Sequence, residues 1–294
     1  MAKLRMMLFF GSFNPVHKGH IALAEYAVER GLCDQVAMII SPHNPFKQSW
    51  AQAAETDRLE MVEAACKASK YPEQIVPSII EFLLEKPSYT VNTLRHLKEN
   101  YGSQMEFSIL MGSGLINQLP RWRDAEEIIK GFDIYVYPRP GHPMEFSTER
   151  TTFLEDAPQC SFSSTEVRDA LERGESVETM VGEDVARYIR SKALWSLGYK
   201  LTVLNTAISH SPEDAELYIE RGKCYFRQNE WGSAINDFRK AQQLAPDMEE
   251  AKQCLEMAEE RGVKNVAKSM KTDGVDYAVI SKYTNLTNAE IDKL

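Results

Sequence analysis

The chain has 294 residues, of which 43% are hydrophobic and 26% are charged, and its net charge is −9. These values are typical of a globular protein with room for one large domain and a smaller one. The negative net charge excludes a long nucleic-acid backbone as the expected partner. No apolar stretch approaches the length of a membrane span. The five scattered cysteines indicate reduced thiols in a cytoplasm.

Strand and helix patterns alternate through roughly the first 195 residues. Short apolar runs predict strands at 6–10, 35–40, 75–79, 107–111 and 132–137, with a late strand expected near 152–154. Helical spacing predicts helices at 18–31, 55–70, 90–100, 124–130, 166–173 and 183–193. The alternation predicts an α/β fold with a Rossmann-like doubly wound parallel sheet, whose ligands bind beyond the carboxyl ends of the strands.

The stretch LFFGSFNPVHKGH, residues 8–20, joins the first strand to the first helix. Gly11 and Gly19 suit a tight turn in which the main chain approaches a ligand. His17 and His20 are three residues apart and therefore face the same side of the helix start. Because a helix N-terminus attracts anions, this stretch predicts a phosphate site.

A second motif, FSSTEVR, occupies residues 162–168. Its hydroxyl groups and free N–H groups lie at a predicted helix start, and Arg168 follows Thr165 by one turn on the same face. By itself this pattern fits either a capped helix with a surface arginine or a phosphate-binding site.

The spacing His-x-Gly-His after Gly-x-Phe-x-Pro, combined with Ser-Ser-Thr-x-x-Arg, resembles the signature of the nucleotidylyltransferase superfamily. Three further stretches, PHNPFK (42–47), PSYTVNTL (87–94) and LPRW (119–122), resemble bacterial nicotinate mononucleotide adenylyltransferases. The resemblance covers residues 6–195. It implies transfer of AMP from ATP to nicotinate mononucleotide, which gives nicotinic acid adenine dinucleotide and pyrophosphate, with Mg²⁺ carried by the ATP phosphates.

The resemblance also implies roles for individual residues. The catalytic residues are His17 and His20. The residues implied for ATP binding are Gly11, Ser12, Phe13, His17, Gly19, His20, Gly112, Gly114, Ser163, Ser164, Thr165 and Arg168. Those implied for the acceptor are Asn14, His43, Lys47, Tyr89, Thr90, Trp122 and Arg139. Among these, Tyr89 and Thr90 are expected at the pyridine carboxylate and Trp122 on the pyridine ring.

Two positions depart from the family pattern. Gly114 stands where family members commonly carry aspartate, which removes a side chain that would touch ribose or orient the site. Asn14 stands where related enzymes often carry aspartate, a milder change because an amide still accepts and donates hydrogen bonds.

The last hundred residues follow a different, all-helical pattern. Residues 215–246 match the tetratricopeptide pattern, and a closing helix is predicted at 249–260. Two short helices separated by residues 284–286 are predicted in the tail. The resulting division is 1–197 for the catalytic domain, 198–262 for the tetratricopeptide-like segment and 263–294 for the tail. A homo-oligomer or a protein partner is expected to use these helices.

Other functions stay open at this point. The acceptor of the same reaction could be nicotinamide mononucleotide or phosphopantetheine. Alternatively, a degenerate enzyme could act as an interaction protein through its tetratricopeptide-like segment. No metal site built by the protein itself is expected, and neither nucleic acid nor a membrane is an expected partner.

Overall fold

The computed structural model describes residues 2–42 and 52–294. The chain divides into two compact units, of which the first ends at Ser196 and the second begins at Leu197. The first unit contains the whole sheet, and the second is built of helices. This architecture confirms the predicted α/β fold with a smaller all-α region.

In the described part of the chain, six parallel strands form a single sheet in the order β3-β2-β1-β4-β5-β6. Their bounds are β1 Leu4–Gly11, β2 Gln35–Ile40, β3 Ile75–Ser78, β4 Met105–Gly112, β5 Asp133–Tyr137 and β6 Thr151–Phe153. From β1 the strand order runs outwards in both directions, so the crevice between β1 and β4 is the switch point of the sheet. In open α/β sheets, ligands bind at the carboxyl ends of the strands at this point.

Helices connect the strands and bury the apolar faces of the sheet. Their bounds are α1 Lys18–Glu29, α2 Glu55–Lys67, α3 Ile80–Leu83, α4 Thr90–Tyr101, α5 Ser113–Ile116, α6 Ala125–Gly131, α7 Ser164–Glu172, α8 Glu178–Val181 and α9 Glu183–Ser191. A short 3₁₀ helix spans Leu119–Arg121. Alternate strand residues such as Leu8, Ile109 and Ile134 pack with Leu94 of α4 and Ile128 of α6. The period-two pattern of the strands therefore supplies the core.

The second unit contains the tetratricopeptide-like pair and its continuation. Its helices are α10 Leu197–His210, α11 Ala215–Arg227, α12 Trp231–Leu244, α13 Glu249–Thr272, α14 Tyr277–Thr284 and α15 Asn288–Asp292. Phe238 of α12 packs directly on Gly222 of α11, where a Cβ atom would lie 2.6 Å from the Phe238 ring. Phe238 also joins Ala234 and Ala258 in a small core.

One helix of this unit is longer than predicted. The closing helix was expected to end at residue 260, but α13 continues to Thr272, because Ala267 becomes buried with Ile280 and Ile291 of the last two helices. Residues 262 and 263, where the sequence suggested a division, both lie inside this helix. The two short tail helices are present, with α14 ending at Thr284 and α15 beginning at Asn288. Within the described residues, none of the helices combines the length and apolarity needed to cross a membrane.

Candidate active site

The two predicted histidines lie side by side where β1 leads into α1. The His17 and His20 rings are stacked with their centroids 3.7 Å apart. The main-chain N–H of His17, the N-cap residue, donates to Nδ1 of His20 at 3.2 Å. Because Nδ1 of His20 accepts this hydrogen bond, neutral His20 carries its proton on Nε2 and can donate it to a ligand.

Two phenylalanine side chains pack against the histidine pair. The backbone of Phe13 is left-handed, with φ of 43°, and its ring is buried. The centroids of the Phe13 and His20 rings are 5.1 Å apart in an edge-to-face arrangement. Phe162 contacts His17 in a similar T-shaped arrangement, with 5.4 Å between centroids. The side chain of Phe13 is therefore part of the core, and only its main chain is left for the predicted contact with ATP.

Burial and a nearby cation keep both histidines neutral. Burial, with a smaller contribution from Arg139, lowers the pKa of His17 to about 4. Burial also lowers the pKa of His20 well below its usual value, and the neighbouring His17 and Arg139 lower it further. Within the described residues, Nδ1 of His17 is buried without a hydrogen-bond partner. At neutral pH the pair therefore consists of uncharged imidazoles.

A test of this neutral state is the pH dependence of stability. The unfolded chain titrates His17 near its ordinary pKa of 6.5, whereas the folded protein holds it at about 4. Between these pH values the unfolded state binds more protons, so the free energy of unfolding decreases as the pH falls through this window. The expected loss from His17 alone is about 3 kcal/mol.

Denaturant unfolding at pH 7 and pH 4.5 measures this effect. We expect His17→Asn to reduce the loss on acidification relative to the unchanged protein, and His210→Asn, at an exposed position on α10, to leave it unchanged. Equal losses in the unchanged protein and in His17→Asn would show that His17 is not held neutral by the fold.

The second motif docks onto the turn that carries the histidines. Ser163 caps α7 in a capping box with Glu166, as the pattern predicted. The Ser164 hydroxyl donates to the carbonyl oxygen of Pro15 at 2.9 Å. The Arg168 guanidinium donates to the carbonyl oxygen of Asn14 at 2.7 Å and to the hydroxyl of Thr165 at 3.1 Å. The beginnings of α1 and α7 thus meet at one place.

Two glycines permit close approaches around this centre. A Cβ atom on Gly19 would lie 2.6 Å from Cβ of Cys160 and 3.0 Å from Cε1 of His17. A Cβ atom on Gly112 would lie 2.6 Å from Cδ of Arg139. Arg139 therefore crosses the end of β4, and its charge acts on both histidines. A side chain at either glycine would therefore require these neighbouring side chains to shift.

The residues predicted for the acceptor lie on other elements of the same unit. Tyr89 is the N-cap of α4 and Thr90 its first residue, and in the part of the chain that the structure describes the Tyr89 side chain makes no capping hydrogen bond. Trp122 follows the 3₁₀ helix and packs partly against the core. The guanidinium of Arg123 lies 4.7 Å from the centre of the Tyr89 ring, a cation-π contact that the sequence did not indicate. His43 and Lys47 lie outside the described residues.

Arg58 is a buried residue that sequence reasoning missed. Its guanidinium is fully buried and donates to four carbonyl oxygens, those of Ser12, Ser41, Pro42 and Ala53, at 2.6–3.2 Å. Burial lowers the pKa of Arg58 to about 10, so the group stays charged at neutral pH.

Asn14 connects to the same region. Its side-chain oxygen accepts a hydrogen bond from the N–H of Ala53 at 2.9 Å. Asn14 is itself buried, so this amide oxygen is occupied within the protein. Arg58 and Asn14 together hold the turn after β1 against the end of β2 and against Ala53, two residues before the start of α2.

Both parts of the chain are similar to known protein families. Residues 8–170 match the cytidylyltransferase-like family model, and residues 215–248 match the tetratricopeptide repeat model. A probable nicotinate-nucleotide adenylyltransferase of Flavobacterium johnsoniae is 38% identical over 189 residues, which are 63% of this chain and 96% of the relative. That of Bacteroides thetaiotaomicron is 40% identical over 189 residues, which are 64% of this chain and 92% of the relative.

A solved structure has the same fold. The Plasmodium falciparum nicotinic acid mononucleotide adenylyltransferase complexed with APC superimposes with a TM-score of 0.55 at 15% identity, over 65% of this chain and 97% of that protein. At this identity the likeness concerns the fold alone. On the family model and the curated relatives, the chain belongs to the cytidylyltransferase-like family, in the group of the nicotinate-nucleotide adenylyltransferases.

Proposed function

We propose that this protein transfers the adenylyl group of ATP to nicotinate mononucleotide. An oxygen of the acceptor phosphate attacks the α-phosphorus of ATP, and the bond from that phosphorus to the bridging oxygen of the β-phosphate breaks. Nicotinic acid adenine dinucleotide and pyrophosphate are the products. No covalent intermediate with the protein is needed, so the site has to position two substrates and stabilise the charge that develops.

The observation that carries the proposal is the meeting of the two motifs. Hydrogen bonds from Ser164 and Arg168 fix the start of α7 to the turn before α1. The histidine pair and two helix starts therefore lie together at the switch point of the sheet. The identity of 38% to a nicotinate-nucleotide adenylyltransferase over 96% of its length selects this reaction from those of the superfamily.

We assign the charge stabilisation to neutral donors and two arginines. His20 donates from Nε2 to a phosphate oxygen, and its stacking on His17 fixes the direction of that donor. Arg139 supplies positive charge from the end of β5, and Arg168 from α7. Donors that are already oriented before the reaction cost no reorganisation when negative charge develops on the transferred group.

We propose that Mg²⁺ reaches the site bound to the phosphates of ATP. The fit rests on the chemistry of the donors: imidazole N–H groups, guanidinium groups and helix N–H groups bind phosphate oxygens. When bound, the metal neutralises charge on the departing pyrophosphate. The protein's own residues hold the nucleotide and orient the α-phosphorus.

The acceptor's pyridine carboxylate is assigned to the start of α4. Within the described residues, the side chain of the N-cap residue Tyr89 makes no capping hydrogen bond there, and the Arg123 guanidinium lies over the Tyr89 ring. Trp122 offers an aromatic face at the end of the 3₁₀ helix. A flat heterocycle with a carboxylate suits an aromatic surface bordered by N–H donors.

Pyrophosphate release tests the proposal directly. The protein is supplied with ATP and Mg²⁺, and nicotinate mononucleotide, nicotinamide mononucleotide and phosphopantetheine are offered separately. We expect turnover with nicotinate mononucleotide, at a higher kcat/KM than with either alternative. Preference for another acceptor would contradict the assignment of the carboxylate site, and silence with all three would favour the interaction-protein alternative.

We also propose a protein contact through the second unit. The match of residues 215–248 to the tetratricopeptide repeat model supports a role of α11 and α12 in binding a second copy of the chain or another protein. A cytoplasmic location is consistent with five cysteines that are all free thiols.

A further inference from the structure

The turn that follows β5 is anchored by one buried hydroxyl group. Residues 139 and 142 form a β-bridge, and Ser113, which is 1% exposed, lies beneath them. The Ser113 hydroxyl accepts a hydrogen bond from the N–H of Arg139 at 2.9 Å and donates one to the carbonyl oxygen of His142 at 2.5 Å. Both contacts use the main chain of the turn, so its shape does not depend on the side chains of Arg139 and His142.

These two side chains rest on the two glycines that flank Ser113. The aliphatic part of Arg139 covers Gly112. The His142 ring covers Gly114, where a Cβ atom would lie 3.4 Å from Cγ and 3.5 Å from Nδ1. Gly114 has no side chain where the family pattern has aspartate. The His142 imidazole therefore lies directly beside this position.

The hydrogen-bond donors of these two side chains have no acidic partner among the described residues. Among the described residues, no carboxylate lies within ion-pair distance of Arg139, and the ring nitrogens of His142 make no hydrogen bond. Both side chains are exposed to solvent. They stand at the carboxyl ends of β4 and β5, the same edge of the sheet that holds His17 and His20 at the end of β1.

We propose that Arg139 and His142 form a two-residue clamp for a phosphate group, in which His142 is a further substrate-binding residue. The guanidinium and the imidazole offer N–H donors without a competing acid, which suits a phosphate oxygen. Under the proposed function, on which this inference rests, that phosphate belongs either to the triphosphate of ATP or to the mononucleotide acceptor.

Binding measurements on the full chain test the clamp without requiring turnover. Calorimetric titration gives the Kd of ATP with Mg²⁺ and, separately, the Kd of nicotinate mononucleotide, for the unchanged protein and for His142→Ala. Because the turn is held through its main chain, we expect the variant to fold. Loss of one hydrogen bond to a charged group is expected to weaken binding of one ligand by about tenfold or more.

Three further variants test whether the donor at position 142 and its surroundings determine the Kd. His142→Lys supplies an N–H donor from another side chain and is expected to recover most of the affinity. Gly114→Asp places a carboxylate beside the His142 ring and is expected to weaken the same ligand. His210→Ala, at an exposed histidine of α10, is the matched control and should leave both Kd values unchanged.

The outcomes separate the inference from the proposed function. A weaker Kd for ATP alone assigns the clamp to the triphosphate, and a weaker Kd for the mononucleotide alone assigns it to the acceptor. Unchanged Kd values for both ligands in His142→Ala would overturn the clamp even if the protein is an active adenylyltransferase. A weakened Kd in a protein that shows no turnover would uphold the clamp and overturn the proposed reaction.

Discussion

Replacing His20 by alanine is expected to lower kcat by about 10²- to 10³-fold, the usual cost of removing one preorganised donor from a developing negative charge. The residue presents Nε2 to the substrates because the main-chain N–H of His17 occupies its Nδ1. The KM for ATP should change much less, because the nucleotide contacts proposed for Arg168 and the helix starts remain in the variant. Initial rates at saturating ATP and acceptor measure this split between kcat and KM.

Stability provides the control for the His20 variant. The side chain is half-buried and makes one hydrogen bond with its neighbour, so the free energy of unfolding should change by about 1 kcal/mol or less. His20→Asn, which retains an N–H donor, should keep more activity than His20→Ala. A kcat within a few-fold of the unchanged protein in a folded His20→Ala variant would remove the catalytic role assigned to this residue.

Replacing Arg58 by methionine is expected to cost about 3–5 kcal/mol of stability, because four carbonyl oxygens lose a buried charged donor at once. Methionine occupies a similar length of space but donates no hydrogen bond. For a domain of this size a loss of about 3 kcal/mol corresponds to a decrease in Tm of roughly 6–12 °C. Thermal unfolding followed by circular dichroism measures it.

Arg95→Met is the matched control for Arg58→Met. Arg95 pairs with Asp124 and Glu127 at the surface, where ion pairs contribute little to the free energy of unfolding. Its loss should lower Tm by only a few degrees. Equal decreases in Tm for the two variants would show that the burial of Arg58 has no special role in holding the turn after β1.

The strands and the two phosphate motifs could be predicted because their signals are local. Runs such as residues 35–40 are buried on both faces of a parallel sheet and therefore read as continuous apolar segments. The turn carrying His17 and the helix start at Ser163 each occupy a few consecutive residues. The alternation of strands and helices was enough to expect both motifs at one edge of the sheet.

The contacts of Arg58 and His142 could not be predicted because they depend on the tertiary fold. Arg58 is fully buried because it finds carbonyl oxygens up to 46 positions away in the chain, which helical spacing does not reveal. His142 reaches the glycine at 114 only after β5 has paired with β4. The extension of α13 likewise comes from its packing with α14 and α15, which no local pattern of that helix reveals.

The most direct test of the proposed reaction is identification of its products by ³¹P NMR. ATP, Mg²⁺ and nicotinate mononucleotide are mixed with the full chain, and the phosphorus signals are followed in time. If the protein transfers the adenylyl group to this acceptor, we expect ATP and the mononucleotide to disappear together while a dinucleotide diphosphate and pyrophosphate appear in equal amounts. Release of orthophosphate, or pyrophosphate formed without the dinucleotide, would contradict adenylyl transfer to this acceptor.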